Sequence, residues 1–209
     1  MAGLLSTDDG MSINGSMTYP GLDFEEGTFT FIAGRSGCGK STYLRILNRT
    51  AVPDSGHIWY RGRDAADYPV LEYRREVALV PQEVFLFDGT IRDNFRRYSE
   101  TRGSEVPSDE DIARFMGICE ADFPLDADCG RLSVGERQRV FTAVFLSFMP
   151  SVLLLDEPTA ALDERTADSM LRNIKSFCRE NGMTVICVCH SEQLIGNLAD
   201  RTVRLGARR

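Results

Sequence analysis

The sequence predicts an α/β fold built on a mostly parallel sheet. Three observations carry the prediction. Strand-like and helix-like runs alternate along the chain. Val77–Val80 and residues 152–155 (Val-Leu-Leu-Leu) are apolar at every position, as strands buried on both faces must be. A glycine-rich loop, residues 34–41, joins the strand-like Phe29–Ala33 to the helix-like stretch 42–48.

The elements follow in order. Residues 1–28 are rich in Gly, Ser, Asp and Asn. Short alternating segments from Met11 to Tyr19 read as a strand or hairpin, and Pro20-Gly21 as a turn. After the glycine-rich loop and its helix, Pro53-Asp54-Ser55-Gly56 is a turn, 57–60 a short strand and 61–64 a second turn. Residues 71–76 are short and charged; Val77–Val80 is a core strand ended by Pro81-Gln82. A polar helix is expected over 91–98, and residues 99–110 read as the most loop-like part of the chain. Ser108 with Asp111 makes a capping box, followed by Ile112, Phe115 and Met116 at helical spacing. A second box, Ser133 with Glu136, opens a helix with Val140, Phe141, Val144, Phe145 and Phe148 on one face, stopped by Pro150. Asp163 starts another helix, whose inner stripe is Ala167, Met170, Leu171, Ile174 and Phe177 and whose end is Asn181-Gly182. Strand 184–189 leads to His190, and a short helix and a strand over 202–205 finish the chain.

Bulk properties narrow the class. With 209 residues, 43% of them hydrophobic, the chain can bury one substantial core. A formal net charge of −7 argues against a nucleic-acid partner. No apolar run approaches the roughly 20 residues that span a bilayer; the greasiest, 141–149, is broken by Thr142 and Ser147. Met1-Ala2-Gly3-Leu4-Leu5 lacks the features of a signal peptide. The expectation is a cytoplasmic protein that reaches a membrane only through a partner that spans it. The six cysteines read as buried thiols. Cys187-Val188-Cys189-His190 reads as a strand with two inward thiols, because no second ligand cluster accompanies it. His57 reads as a surface strand residue.

Two stretches carry chemistry. Residues 34–41 fit G-x-x-x-x-G-K-[ST], a phosphate-binding loop between strand and helix. Its glycines let backbone N–H groups face a phosphate chain, and the helix N-terminus adds partial positive charge. The loop contributes Gly34, Arg35, Ser36, Gly37, Cys38, Gly39, Lys40 and Ser41, with Thr42 behind it. Lys40 would reach the outer phosphates, and the Ser41 hydroxyl would hold Mg²⁺. The second stretch is Asp156-Glu157 at the end of its apolar strand. A parallel strand delivers its C-terminal residues to the ligand edge of a sheet. One carboxylate there can hold Mg²⁺ and its neighbour can poise an attacking water. Together they read as a Mg-dependent nucleoside triphosphatase.

Leu132-Ser133-Val134-Gly135-Glu136-Arg137-Gln138 resembles the signature sequence of ABC ATPases, LSGGQ or LSGGE. The other motifs fall in that family's order. Gln82 resembles the Q-loop glutamine, Asp156-Glu157 the end of Walker B with its catalytic glutamate, Ala161-Leu162-Asp163 the D-loop and His190 the switch histidine. The resemblance covers about residues 20–205. It implies a P-loop ATPase core with a small N-terminal antiparallel part and an inserted helical subdomain. The whole would be a single domain over 1–209, with its core at about 1–82 and 150–209 and its helical part at about 83–149.

It also implies cofactors, roles and partners. ATP and Mg²⁺ would bind, Mg²⁺ through Ser41, Asp156 and Gln82. Glu157 would be general base, His190 would steady the γ-phosphate, and Gln82 would join the metal shell. Ser133, Gly135 and Glu136 would meet the nucleotide of a second copy in a head-to-tail homodimer, and Asp163 would communicate across it. The partner would be a polytopic membrane permease, with the chain peripheral on the cytoplasmic face.

The sequence departs from the family in two places. Val134 stands where glycine is usual. Tyr19 lies closer to the loop than the aromatic that stacks on adenine in family members, so it reads as an ordinary strand or turn aromatic. Residues 82–94 resemble the segment after the Q-loop of export-type members, where Phe85, Leu86 and Phe87 would line a groove for the permease or pack in the core. Within the family, the likeness is to subunits of iron-export transporters. The other reading kept open is a soluble ABC ATPase that acts on another macromolecule.

Overall fold

The structure, a computed structural model, describes residues 3–15 and 17–206. Met1 and Ala2 of the N-terminal stretch, Ser16 of the hairpin segment and residues 207–209 of the single-domain span lie outside the described residues.

The N-terminal part is antiparallel. Strand β1 (Leu5–Thr7) pairs with β4 (Asp23–Phe24) on one side and β6 (Ile58–Tyr60) on the other, and β7 (Arg63–Asp64) follows β6. Strands β2 (Met11–Ile13) and β3 (Met17–Tyr19) form the hairpin expected between Met11 and Tyr19. The turn expected over 61–64 is shorter. Arg61 and Gly62, at φ 51° and 74°, close a two-residue hairpin, and Arg63 already pairs with Tyr60. Two left-handed residues match the twist of antiparallel strands, which is why so tight a turn suffices.

The central sheet has five parallel strands in the order β11-β5-β10-β9-β8. They are β5 (Phe29–Ala33), β8 (Val77–Val80), β9 (Val152–Asp156), β10 (Thr184–Val188) and β11 (Arg201–Arg204). Every residue of β9 and β10 is buried, as their apolar runs require. Alternate residues serve opposite cores. Leu153, Leu155, Val185 and Cys187 face one, while Val152, Leu154, Ile186 and Val188 face the other. Burying each such leucine stabilises the fold by roughly 1.5–3 kcal/mol.

The second of these cores also holds α1 (Lys40–Leu47), α2 (Val70–Glu76) and the N-terminal sheet. The first holds α3 (Ile91–Arg102), α4 (Asp109–Ile118), α5 (Val134–Leu146), α6 (Glu164–Glu180) and α7 (Glu192–Leu198). Helices α3, α4 and α5 lie in sequence between β8 and β9, and α4 packs on α5.

Three local expectations change. The charged stretch 71–76 is helix α2. Helix α3 runs to Arg102, four residues into the expected loop. Tertiary contacts extend it: the Arg102 guanidinium donates to the Arg75 carbonyl and lies 4.6 Å from the centre of the Phe148 ring. At α4 the Ser108 hydroxyl accepts from the Asp111 N–H, but the Asp111 carboxylate accepts from that hydroxyl instead of the cap's N–H, so the box is half made. A full box stands at α3 instead, from Thr90 with Asp93. All six cysteines are buried thiols, and Cys187 and Cys189 face the same core.

Candidate functional site

Strands β5, β8, β9 and β10 run the same way in adjacent register, with Val188 beside both Asp156 and Ile32. Their C-terminal ends therefore release the glycine-rich loop, Gln82, Asp156-Glu157 and His190 at one edge of the sheet. There a cleft of about 430 Å³ has Ser36, Gly37, Gly39, Lys40, Ser41, Thr42, Gln82, Glu157, His190 and Met17 in its walls.

The loop is pulled tight. Lys40 is buried, and its Nζ donates to the carbonyls of Gly34 and Arg35 at 3.0 and 3.2 Å. Cys38 N–H donates to Arg35 O. Arg35, Ser36 and Gly37 are exposed, while Cys38 packs into the core beneath. Gly39 caps α1 at φ 89°, and a Cβ there would clash with Met17 Sδ and lie 2.5 Å from Tyr19 Oη. Only glycine lets the loop turn this close to β3.

Ser41 Oγ donates to Asp156 Oδ1 at 2.9 Å, across 115 residues of chain. Asp156 is 2% exposed. Burial raises its pKa most, with the Glu157 charge adding to the rise, against lowering by the Ser41 hydroxyl, Arg45 and Lys40. A carboxylate so placed gains from a cation. Ser41, Asp156 and the Gln82 amide present only oxygen ligands, the donor set that suits Mg²⁺. Among the described residues no group of three or more His, Cys, Asp or Glu could hold a metal by itself.

Glu157 is the most constrained residue of the site. Its φ of 51° is left-handed, a strain of roughly 1–2 kcal/mol for a side chain of this kind. Its N–H donates to Val188 O at 3.1 Å, and its carbonyl accepts from Gln138 Nε2 at 3.0 Å and from Ala160 N–H at 3.2 Å. The carboxylate meets His190 Nε2 at 2.7 Å through Oε1 and accepts from Gln82 Nε2 at 3.2 Å through Oε2. Three of the expected polar groups, from three strand ends, thus converge on one another.

Eight expected residues are not in the cleft's walls: Gly34, Arg35 and Cys38, which belong to the loop itself, Asp156, which bonds to Ser41, and Ser133, Gly135, Glu136 and Asp163 at the starts of α5 and α6. Ser133 caps α5, its N–H donating to Glu136 Oε2 at 2.7 Å and its hydroxyl accepting from Glu136 N–H. Hydrogen bonds from the Ser133 N–H, and then from its hydroxyl, hold the Glu136 carboxyl below its usual range. Gly135 presses on the loop before α6; a Cβ there would lie 2.7 Å from Ala161 O. Asp163 caps α6 through the Thr166 hydroxyl and N–H, which lower its pKa in that order. Ser133 and Val134 are exposed, Val134 at 70%.

Two residues of the site have no local signal in the sequence. Tyr19 is buried beneath the glycine-rich loop, 5.0 Å from the Tyr43 ring, with its hydroxyl donating to Gly39 O at 3.0 Å. Burial pushes its phenol up to about 12. It braces the loop from behind, and Met17 takes the cleft side. Gln138 is the other. It lies in the helix that the signature-like stretch opens, yet bonds to Glu157, 19 residues on.

The family model "ABC transporter" matches residues 19–160. "ABC transporter I family member 17" of Arabidopsis thaliana is 37% identical over 194 residues, which are 92% of this chain and 72% of that protein. "Probable iron export ATP-binding protein FetA" of Escherichia coli (strain K12) is 36% identical over 183 residues, 86% of this chain and 79% of that one. Among solved structures, the dimeric MJ0796 cassette, described as a bacterial ABC transporter cassette, superposes with a TM-score of 0.84. It covers 98% of this chain and 97% of its own at 23% identity, a likeness of fold.

Proposed function

Because the chain belongs to the ABC transporter family of ATP-hydrolysing proteins, we propose that it is the subunit that powers a membrane permease through an ATP-driven homodimer. The observation that carries the proposal is the division of the site. Lys40, Ser41, Gln82, Glu157 and His190 line one cleft, with Asp156 buried and bonded to Ser41, while Ser133 and Gly135 sit outside it at an exposed helix N-terminus. A helix N-terminus with free N–H groups suits an anion. A second copy, turned head to tail, would bring that end to the phosphates held by the first.

Each residue then has a chemical role. Lys40 would exchange the carbonyls of Gly34 and Arg35 for the outer phosphate oxygens. Ser41, Asp156 and Gln82 would hold Mg²⁺, which would supply neutralisation of phosphate charge. Glu157 would take the proton of the attacking water, and His190, 2.7 Å from that carboxylate, would orient it and steady the γ-phosphate. Gly34, Arg35, Ser36, Gly37, Cys38, Gly39 and Thr42 contribute the loop's N–H groups and its shape. Glu136 and Asp163 act by capping the two helices that would face the other copy.

Residues 83–149 would form the inserted helical subdomain on the core of 1–82 and 150–209. Phe85 is 58% exposed, Phe87 half-buried and Leu86 buried, so this segment both anchors itself and presents an aromatic face. We assign the permease to that face, which would hold the chain on the cytoplasmic side of the membrane. No helix among the described residues is long and apolar enough to cross a bilayer. The cargo to be tested first is a transition metal, from the likeness to an iron-export subunit.

Measuring Mg-ATP hydrolysis, with and without a co-purified permease, tests the proposal. Glu157→Gln should lower the rate by about 10²–10⁴. An inactive wild type in both preparations would refute the enzymatic reading. Failure to co-purify with any polytopic protein would favour a soluble ATPase instead.

A further inference from the structure

We infer that Gln138 is a positioning residue that holds Glu157 in its reactive posture and ties it to the N-terminal end of α5. The inference deepens the proposed function and rests on Glu157 being the base. A left-handed glutamate returns to ordinary backbone angles unless its surroundings over-determine it. Here the determinants are few. Val188 O holds the N–H of Glu157, and its carbonyl is held by Ala160 N–H and the Gln138 amide. Gln138 is 5% exposed, so its amide has little water to exchange with. It is the only side chain among the described residues found bonding to the Glu157 backbone. Losing it frees the hinge about which the carboxylate reaches His190 and Gln82.

The same helix touches the same segment a second time. Gly135, three residues earlier, packs against Ala161 so closely that no side chain fits. Helix α5 therefore grips the 157–162 segment at both ends, by a backbone approach at Ala161 and a side-chain hydrogen bond at Glu157. Ser133, the residue offered to the second copy, caps this helix. A displacement of Ser133 at one nucleotide moves a rigid rod whose other contact is the base for the chain's own nucleotide. Gln138 is thus placed to make hydrolysis at one cleft depend on the docking at the other.

Two substitutions test this. Gln138→Leu keeps the bulk and removes the donor; Gln138→Glu keeps the shape and puts an acceptor against the carbonyl. Both should lower single-turnover kcat for Mg-ATP by about tenfold or more while KM stays within about twofold, a split that lost binding does not produce. In the nucleotide-free protein, hydrogen exchange over residues 157–162 should quicken by about fivefold or more as the turn loosens. Unchanged exchange, or kcat within about twofold of wild type for Gln138→Glu, overturns the inference. Should the leucine variant not fold, the glutamate variant carries both readouts. Glu157→Gln, run in parallel, separates the two claims. If it hydrolyses ATP normally, the base assignment fails; if it is inert while the Gln138 variants are normal, only the role of Gln138 fails.

Discussion

Asn94 is buried completely on α3 and holds the aromatic segment in shape. Its Oδ1 accepts from Phe87 N–H at 2.8 Å, and its Nδ2 donates to Phe87 O and Thr90 O at 3.0 Å each. Asn94→Leu preserves size and removes these three bonds and a weaker one from Nδ2 to Cys129 Sγ at 3.4 Å. Thr90 O keeps the Asn94 N–H, so the groups that lose their partner are the N–H and C=O of Phe87. Each costs about 1–3 kcal/mol when left unpaired, and burying a leucine returns part of that. The expected loss is about 2–4 kcal/mol, or roughly 4–16 °C in Tm for a chain of this size. Differential scanning calorimetry measures it. The Phe85–Phe87 segment should loosen, so permease association should weaken while ATP binding, made through the glycine-rich loop, is kept. A Tm shift under about 2 °C with permease binding intact would refute this account of how the docking face is built.

Three further outcomes are expected. Lys40→Ala should abolish ATP binding in a direct titration, and retained tight binding would sink the role given to the glycine-rich loop. Ser133→Arg should spare nucleotide binding but block ATP-driven dimerisation in size-exclusion chromatography, because it places bulk at the shared face; normal hydrolysis by this variant would contradict the composite site. The Asp200 carboxyl is raised by burial but lowered more by the Lys175 ammonium at 2.6 Å and the Phe29 N–H at 2.9 Å, and ends below its usual range. Its contribution is therefore present above the unfolded-state value near about pH 4 and lost as pH falls through the lower folded value. Asp200→Asn should flatten the acid limb of stability in urea titrations; an unchanged limb would refute the pairing.

The parallel sheet and the glycine-rich loop could be read from the chain alone. These are legible because their causes are local. An all-apolar run fits only a strand covered on both faces, and a capping box closes within four residues. The loop needs its glycines in one place, as at Gly39, where any Cβ would strike β3. Other features depend on which strand lies beside which, and no local pattern carries that. Ser41 meets Asp156 across 115 residues and His190 meets Glu157 across 33, because parallel register brings their strand ends to one edge. The spacing of Tyr19 marked it as an ordinary strand or turn aromatic but did not say where its ring would go. Its packing on Tyr43 turns it inward and leaves Met17 at the opening. The division of Phe85 outward and Leu86 inward has the same origin, and so does the extension of α3 by Arg102. Gln138 lies in the signature-like stretch, but nothing local marked its role: its amide gains meaning only when α5 is laid against a glutamate held at a left-handed angle.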